Sequence, residues 1–361
     1  MILVTGGAGF IGSHFVRDWL SEHGSSAEAN VLNIDKLSYA GNRENLADLR
    51  ADQRHIFVHG DVGDRLLLDK LLAQYQPRAL IHFAAESHVD RSINSPELFI
   101  QNNIVASFHL LESVRHYHAK LSPEAGARFR FLQVSTDEVY GSLSADAAPF
   151  TETHAYQPNS PYAASKAAAD HLVRAYHHTY KLPVLTTHCS NNYGPNHFPE
   201  KLIPLSIQNA LAGKTLPLYG DGEQIRDWLY VSDHCAAIRC VLEHGRIGER
   251  YNIGGANEQR NRDVVNSVCA WLDQLQPRSS GSYREQIRLV SDRPGHDRRY
   301  AIDASKIERE LGWRPRERFH SGIEKTVRWY LANPDWVAHI NDGSYRQQTE
   351  QSAPLANAAQ T

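Results

Sequence analysis

A glycine turn at the start of the chain constrains the fold more than any other stretch. Ile2-Leu3-Val4 is a short apolar run, followed at once by Thr5-Gly6-Gly7-Ala8-Gly9-Phe10-Ile11-Gly12 and then by an amphipathic run through Leu20. The pattern predicts a strand, a tight turn and a helix. Gly6, Gly9 and Gly12 would permit the turn, close backbone approach and close helix packing, so that helix-end amides can meet a pyrophosphate. Turns also collect glycine for steric reasons alone, so this reading needs support from the neighbouring segments.

Val31-Leu32-Asn33-Ile34 reads as a second strand ending in Asp35. An acidic side chain about twenty residues beyond such a turn can take both ribose hydroxyls of NAD. A carboxylate there would repel a 2′-phosphate, which favours NAD over NADP, although the neighbouring Lys36 pulls the other way. A plain loop-start carboxylate is the alternative. A third strand, His55 to His59, ends at Asp61-Val62, a place where a carboxylate and a backbone amide could hold an adenine ring. A helix from about Arg65 to Tyr75 and a fourth strand, Ala79 to Phe83, come next, running on into Ala84-Ala85-Glu86-Ser87-His88. Pro96 to Tyr117 reads as one long helix, with Phe99, Ile104, Phe108 and Leu111 at helical spacing. Phe129 to Val134 and Val184 to His188 are further strands. Alternating strands and helices imply an α/β fold, a doubly wound parallel sheet whose carboxyl edge carries the ligand.

The fifth strand delivers Ser135-Thr136-Asp137-Glu138-Val139-Tyr140-Gly141 to that edge. Downstream, Ser160-Pro161 is a helix-start signature, and the helix should run to about Tyr180, placing Tyr162 and Lys166 one turn apart on one face. A phenol with an ordinary pKa of about 10 needs help to act as a base at neutral pH. The Lys166 ammonium, together with the positive nicotinamide, would lower it, and Tyr162 could then take a proton from a substrate hydroxyl that Thr136 also holds, while hydride leaves for NAD. Tyr-xxx-Lys alone is a common accident in helices. Asp137 and Glu138 suggest a further step: beside a new ketone, one carboxylate can remove a C–H proton and a protonated carboxyl can donate to a departing hydroxyl. Neighbours on a regular strand point to opposite faces, so both can serve only if the backbone turns there. One catalytic carboxyl and one solvated or ion-paired one is the alternative.

At 361 residues, with 41% apolar and 22% charged residues, the chain has room for two domains of ordinary globular composition. Its net charge of −3 is dispersed, which argues against nucleic acid as a partner. Cys189, Cys235, Cys240 and Cys269 show no CxxC spacing, and the histidines form no zinc motif, so no metal is expected. A first strand at Ile2 leaves no room for a signal peptide, and no apolar run suits a membrane, so a cytoplasmic protein without a membrane partner is expected.

From Cys189 the pattern breaks into Gly- and Pro-punctuated pieces, among them Asn191 to Pro195, Glu200 to Pro204, Gln224 to Trp228 and Asp292 to His296. Arg226 and Arg293 could clamp a diphosphate, though each taken singly is a surface or ion-pair residue. After Trp336 the chain turns polar, and a loosely packed tail is expected.

Taken together, Val4 to Gly12, Ile34 to Leu37, Ala84 to Ile93, Ser135 to Gly141, Asn191 to Pro204 and Asp292 to Ala304 resemble the extended short-chain dehydrogenase/reductases, and within them closely the dTDP-glucose 4,6-dehydratase family. The resemblance covers roughly residues 1 to 336. It implies a Rossmann NAD-binding domain over 1–188 with a returning segment near 228–250, a smaller mixed α/β substrate domain mostly over 189–336, and a polar tail over 337–361. NAD contacts would come from Gly6, Gly9, Phe10, Ile11 and Gly12, from Asp35, Lys36, Leu37 and Ser38, from Asp61, Val62, Ala84 and Ala85, and from Tyr162, Lys166 and Asn192. The sugar nucleotide would meet Ser87, Thr136, Asn191, Lys201, Leu202, Pro217, Tyr219, Arg226, Asn261, Arg293 and His296.

The implied activity is an internal redox cycle on dTDP-glucose: oxidation at C4 with Tyr162 as base, loss of water through Glu138 at C5 and Asp137 at C6, and return of the hydride to C6. A homodimer through a four-helix bundle, using the helices near 96–117 and 161–180, is also implied. One departure stands out, Asn196, where the resemblance leads one to expect an aromatic residue. A nucleotide-sugar epimerase, a dehydratase for another nucleotide and a non-catalytic NAD-sensing protein are the alternatives. The Asp-Glu pair speaks against the epimerase, and the intact Tyr, Lys and Thr against the sensor.

Overall fold

The structure, a computed structural model, describes residues 1–349 apart from 25 and 293. Its strands are β1 (Ile2–Thr5), β2 (Val31–Asp35), β3 (His55–His59), β4 (Ala79–His82), β5 (Arg130–Thr136) and β6 (Val184–Cys189), then β7 (Asn191–Tyr193), β8 (Leu216–Tyr219), β9 (Ile225–Tyr230), β10 (Arg250–Ile253), β11 (Glu258–Arg260) and β12 (Ile287–Val290). Seven of them form one parallel sheet in the order β10-β6-β5-β4-β1-β2-β3. Every residue of β1, β2, β4 and β6 is buried, as expected for parallel strands covered by helices on both faces. The chain leaves β1 toward β2 on one side and returns to pair β4 on the other, so Thr5 lies between Ile34 and His82. That reversal opens a crevice at the carboxyl ends of β1 and β4.

Of four apolar clusters among the described residues, two are the largest. One lies on the sheet and includes Val4, Phe15, Trp19 and Leu132, joined by Ile238 and Val241 of the Val231–His244 helix. β10, next in the chain, pairs with β6, so this segment packs with the first six strands. The other core gathers Tyr193, Ile203, Val268, Ile323 and Tyr330 from beyond β6. There β11-β9-β7 and β12-β8 make two small sheets.

The structure corrects two expectations. The rod from Pro96 is not one regular helix: Pro96–Phe99 and Ala106–His118 are α-helical, but Ile100–Val105 between them is a π-helix. The extra residue in that turn re-aims Asn103. Its Nδ2 donates to the Glu86 carbonyl at 3.0 Å and to Ser165 Oγ at 2.8 Å, and its Oδ1 accepts from Glu86 N at 2.8 Å. Likewise, the polar tail begins later than residue 337. Pro334–Asp342 is a helix whose Trp336 and Ile340, one turn apart, are buried. Trp336 Nε1 donates to Asn45 Oδ1 at 2.9 Å and the Tyr345 hydroxyl to the Tyr39 carbonyl at 2.6 Å. Residues 350–361 of the expected tail lie outside the described residues. Among those described, no helix is long and apolar enough to cross a membrane.

Candidate active site

The crevice holds a cavity of about 360 Å³ lined from both sides. Its floor is the glycine turn. Gly6 sits at φ +72°, and a Cβ there would lie 2.6 Å from Ala84 N, so β1 and the loop after β4 approach closely only because Gly6 has no side chain. A Cβ on Gly12 would meet the Gly6 carbonyl oxygen at 2.3 Å, which fixes how near the helix comes to the turn. Gly7, which the spacing argument passed over, is equally constrained: its Cβ would fall 2.1 Å from Asn33 Oδ1. The helix Phe10–His23 begins at Gly9 with no side-chain cap. Its first amides therefore face the cavity as donors for an anion, which is what a dinucleotide pyrophosphate requires.

Around that floor lie Gly9, Phe10, Ile11, Asp35, Lys36, Ser38, Asp61, Val62, Ala84, Ala85 and Asn192. Asp35 ends β2 with Oδ2 accepting from Ala8 N and Oδ1 from Leu37 N, each at 2.8 Å, so the carboxylate is oriented before any ligand arrives. Lys36 pairs with Asp61 at 2.7 Å, which draws its charge away from the Asp35 end. Leu37 departs from the expectation. It adopts φ +55° and packs against the sheet core instead of lining the cavity. Further lining residues were not expected at the site: Tyr39 and Asn102 had no local signature in the sequence, and His197, Phe198 and Trp228 fell within informative segments without being assigned a contact. His197 stacks on Phe10 with ring centroids 4.4 Å apart, a contact between residues too distant in the chain for any periodicity to reveal.

The opposite wall carries the reactive groups. β5 ends at Thr136, which is extended (φ −135°, ψ 151°), and Asp137–Tyr140 forms a 3-10 turn directly after it. The turn is held by Thr136 Oγ1, which accepts from Glu138 N at 3.3 Å. Thr136, Asp137 and Glu138 consequently all line the cavity, so the alternation that would have sent the two carboxyls to opposite faces ends where it would have mattered. Ser160 caps the Pro161–Tyr180 helix, accepting from Ala163 N at 3.1 Å, and Tyr162 and Lys166 of that helix face the same space.

Electrostatics separates these groups. Burial, then Glu138 and Asp227, push the Asp137 carboxyl well above the usual carboxylate range. It is 2% exposed and its Oδ2 has no partner, an environment that favours the protonated acid. Burial and the charge of Glu138 also raise Tyr162 well above an ordinary phenol. Lys166 Nζ donates to the Val134 carbonyl at 2.8 Å, and the lowering expected from Lys166 together with the nicotinamide belongs to the NAD-bound site.

Of the residues expected to meet a sugar nucleotide, Ser87, Thr136, Asn191, Lys201 and Leu202 line the cavity. Lys201 Nζ also donates to the Ser87 carbonyl at 2.9 Å. Pro217, Tyr219, Arg226, Asn261 and His296 lie beyond its lining. Arg226 is buried, donating to the Ile225 and Asp297 carbonyls and lying 4.2 Å over the Tyr300 ring. The ring centroids of Tyr219 and His296 are 6.4 Å apart, and His296 Nδ1 is 2.6 Å from Asp292 Oδ1. Asn261 begins the Asn261–Leu275 helix, its amide bound to the Gln224 carbonyl. Arg293 lies outside the described residues. Asn196 adopts φ +61°, a conformation asparagine tolerates, and gives Nδ2 to Asn45 Oδ1 at 3.2 Å.

Three comparisons bear on this geometry. A family model described as GDP-mannose 4,6-dehydratase matches residues 3–326. The chain is 61% identical over 345 residues to the dTDP-glucose 4,6-dehydratase of Xanthomonas campestris pv. campestris (strain B100), covering 95% of this chain and 97% of that protein. A double mutant of dTDP-glucose 4,6-dehydratase from Streptomyces venezuelae, solved with NAD and DAU bound, matches with a TM-score of 0.85 at 47% identity over 94% of this chain and 99% of that one. The UDP-glucose 4-epimerase of Thermus thermophilus, in complex with NAD, matches with a TM-score of 0.78 at 28% identity over 92% of this chain and 99% of that one.

Proposed function

The chain belongs to the dTDP-glucose 4,6-dehydratase family of the extended short-chain dehydrogenase/reductases, and from that premise we propose what its residues do. It is an NAD-dependent lyase that removes water from dTDP-glucose and gives dTDP-4-keto-6-deoxyglucose. The matched model is named for a GDP sugar; near-full-length identity to proteins named for dTDP-glucose decides between the nucleotides.

The observation that carries the residue assignment is the 3-10 turn after Thr136, which sets Asp137 and Glu138 beside Tyr162 in one cavity. Phe10 and Ile11 would present the helix-end amides to the pyrophosphate, Asp35 would take the adenosine ribose, and Asp61 with Val62 would flank the adenine. Bound NAD supplies a hydride acceptor at C4 and returns that hydride at C6. Tyr162 takes the C4 hydroxyl proton, with Thr136 holding the same oxygen. Glu138 then removes the C5 proton, made acidic by the new ketone, while Asp137 gives its proton to the C6 hydroxyl, which leaves as water. C5 is reprotonated as C6 is reduced, so the net change is one water lost. Burial and neighbouring negative charge keep a proton on Asp137, which suits it to the donor's role.

We assign Ser87, Asn191, Lys201 and Leu202 to the sugar end, Arg226 and Arg293 to the diphosphate, and His296, Pro217, Tyr219 and Asn261 to the rest of the sugar nucleotide. A homodimer through the helical faces near 96–117 and 161–180 is part of the same reading. It is supported by the exposure of Leu98 (55%), Ile100 (43%), Phe108 (40%) and Tyr180 (50%) on those segments. We place the enzyme in the cytoplasm.

The test is to incubate purified protein with dTDP-glucose and follow the product mass. A product lighter by one water, formed without added reductant, is expected. An isomer of unchanged mass would establish epimerisation instead.

A further inference from the structure

We propose that Asp170 is a positioning residue for this reaction: it pins the end of β5 to the helix bearing Tyr162 and Lys166, and it supplies the buried counter-charge of Lys166. The inference rests on the reading above, in which Tyr162 and Lys166 form the redox base.

Tyr162, Lys166 and Asp170 recur at four-residue spacing along one buried face of the Pro161–Tyr180 helix. Two consecutive residues of β5 receive two consecutive turns of that helix. Lys166 Nζ donates to the Val134 carbonyl at 2.8 Å, and Ser135 Oγ donates to Asp170 Oδ2 at 2.6 Å. Thr136 and Asp137 come next in the chain. Asp170 therefore helps set the register between the strand end that carries the acid/base pair and the helix that carries the phenol.

Pinning alone does not need a charge, since an amide oxygen would accept from Ser135 equally well. Yet Asp170 is 4% exposed, and its Oδ1 has no hydrogen-bond partner. The remaining neighbours also bear on Oδ2 or lie behind it. His188 Nε2 on β6 is 3.2 Å from that atom, and the Tyr156 hydroxyl is 3.5 Å from it and 2.8 Å from His188. Tyr140, in the 3-10 turn, lies 3.3 Å from His188 Nδ1 and gives its proton to Asn252 Oδ1. Arg250 on β10 lies 5.6 Å over the Tyr156 ring and also feels the charge of Asp170, from outside the helix.

A buried carboxylate with an unused oxygen is costly unless a cation answers it, and so is a buried ammonium. Lys166 is the cation on the same helix face. Burial disfavours its charged form, and the Asp170 carboxylate is the leading charge opposing that effect, with a smaller contribution from Cys189. His82 on β4 also feels the charge of Lys166, but burial holds its pKa at about 3, so it brings no positive charge of its own near neutral pH.

Asp170→Asn keeps the shape and the acceptor for Ser135 and removes the charge. In the holoenzyme, kcat for water loss is expected to fall about tenfold with KM for dTDP-glucose unchanged, and the acid limb of the kcat profile to move up by about one pH unit, because Tyr162 loses a neighbouring positive charge. A second readout needs no turnover. In protein labelled with 13C-lysine, with the Lys166 Cε resonance assigned through Lys166→Met, that resonance should titrate at lower pH in the Asn variant than in the wild type. An Asn variant that melts earlier but keeps the wild-type pH profile and Lys166 titration overturns the proposal, since that is the signature of a merely structural group. Should the Asn variant fail to fold, Asp170→Glu retains the charge and is expected to retain the Lys166 titration; an altered titration there overturns the proposal as well. A wild-type protein that takes no water from dTDP-glucose refutes the function instead, and the Lys166 titration then decides this inference by itself.

Discussion

Replacing Asp137 with asparagine tests the protonation state on which the dehydration depends, through stability as well as through activity. The carboxyl is 2% exposed, and burial first, then Glu138 and Asp227, raise its pKa, with only Arg226 and a 3.4 Å hydrogen bond from Thr136 Oγ1 acting the other way. In the unfolded chain it titrates at about 3.9. Between that value and the raised folded one, the native state holds one proton more than the unfolded state. The contribution of Asp137 to stability is therefore fully present below about pH 3.9 and is lost as pH rises through the folded pKa, at about 1.4 kcal/mol per pH unit. Asparagine has no such dependence, so the variant should gain on the wild type by about 1.4 kcal/mol per pH unit through the window and then level off.

Most other titrating groups are common to both proteins and cancel in the difference. Glu138 and Asp227 do not cancel fully, but both ionise more easily once Asp137 cannot carry charge, which adds to the gain with the same sign. Urea-unfolding curves of both proteins at half-unit intervals from pH 5 to pH 8 measure the effect. A difference that stays flat over that range would mean that Asp137 is already ionised, and an ionised group cannot give its proton to the C6 hydroxyl. In the same variant, C4 oxidation should persist while water loss slows by about 10²- to 10⁴-fold, the usual size of a general-acid contribution.

Three further outcomes follow from the geometry. Glu138→Gln should allow oxidation, seen as a rise in NADH absorbance on adding dTDP-glucose, but stall elimination by about 10²- to 10⁴-fold; full dehydration by this variant would remove Glu138 as the C5 base. Gly12→Ala places a Cβ 2.3 Å from the Gly6 carbonyl oxygen, a backbone atom that cannot rotate away, so the variant should retain far less NAD after gel filtration than the wild type, and equal retention would mean that the turn yields. Trp336→Ala deletes a ring bonded to Asn45, whose Nδ2 in turn donates to the Ala8 carbonyl at 3.0 Å; it should cost about 3–5 kcal/mol in denaturant unfolding, as large aromatic truncations do, and loosen NAD retention.

How much of this could be read from the sequence depends on whether the signal is local. The strand-turn-helix at Ile2 to Leu20 is local: the apolar run, the glycine spacing and the amphipathic stretch follow one another directly in the chain. The Tyr162–Lys166 face is equally local, since a Ser-Pro start fixes the helix and the helix fixes the face. The convergence of Asp137 and Glu138 was not legible, because it depends on where β5 stops pairing; Thr136 is its last paired residue, opposite Cys189. The need for a small residue at Gly7 depends on Asn33, and the constraint appears only when β2 lies beside the turn. The last helix carried a signal that polar composition hid: Trp336 and Ile340 sit four apart, the spacing of a buried helical stripe. Arg226 was identified for its charge, but its contacts with the Asp297 carbonyl and the Tyr300 ring follow from tertiary packing alone.

The adjacency of the two carboxyls then takes on a physical sense. In a strand, consecutive side chains diverge by half a turn, and one of the pair would be lost to the far side of the sheet. In a 3-10 turn they diverge by about a third of a turn, near enough to meet one ligand and far enough to have different surroundings. Asp137 takes the deeper position, buried away from water, where burial and the charges of Glu138 and Asp227 favour the protonated acid; Glu138 remains partly open to the cavity. The negative charge of Glu138 is itself one of the causes that hold the proton on Asp137. The base thus keeps the acid in its donor form, and a substitution that neutralises Glu138 should weaken Asp137 as a proton reservoir too. Effects of the two single substitutions on water loss should therefore fall short of additivity in the double variant, as they do for groups that act as one unit.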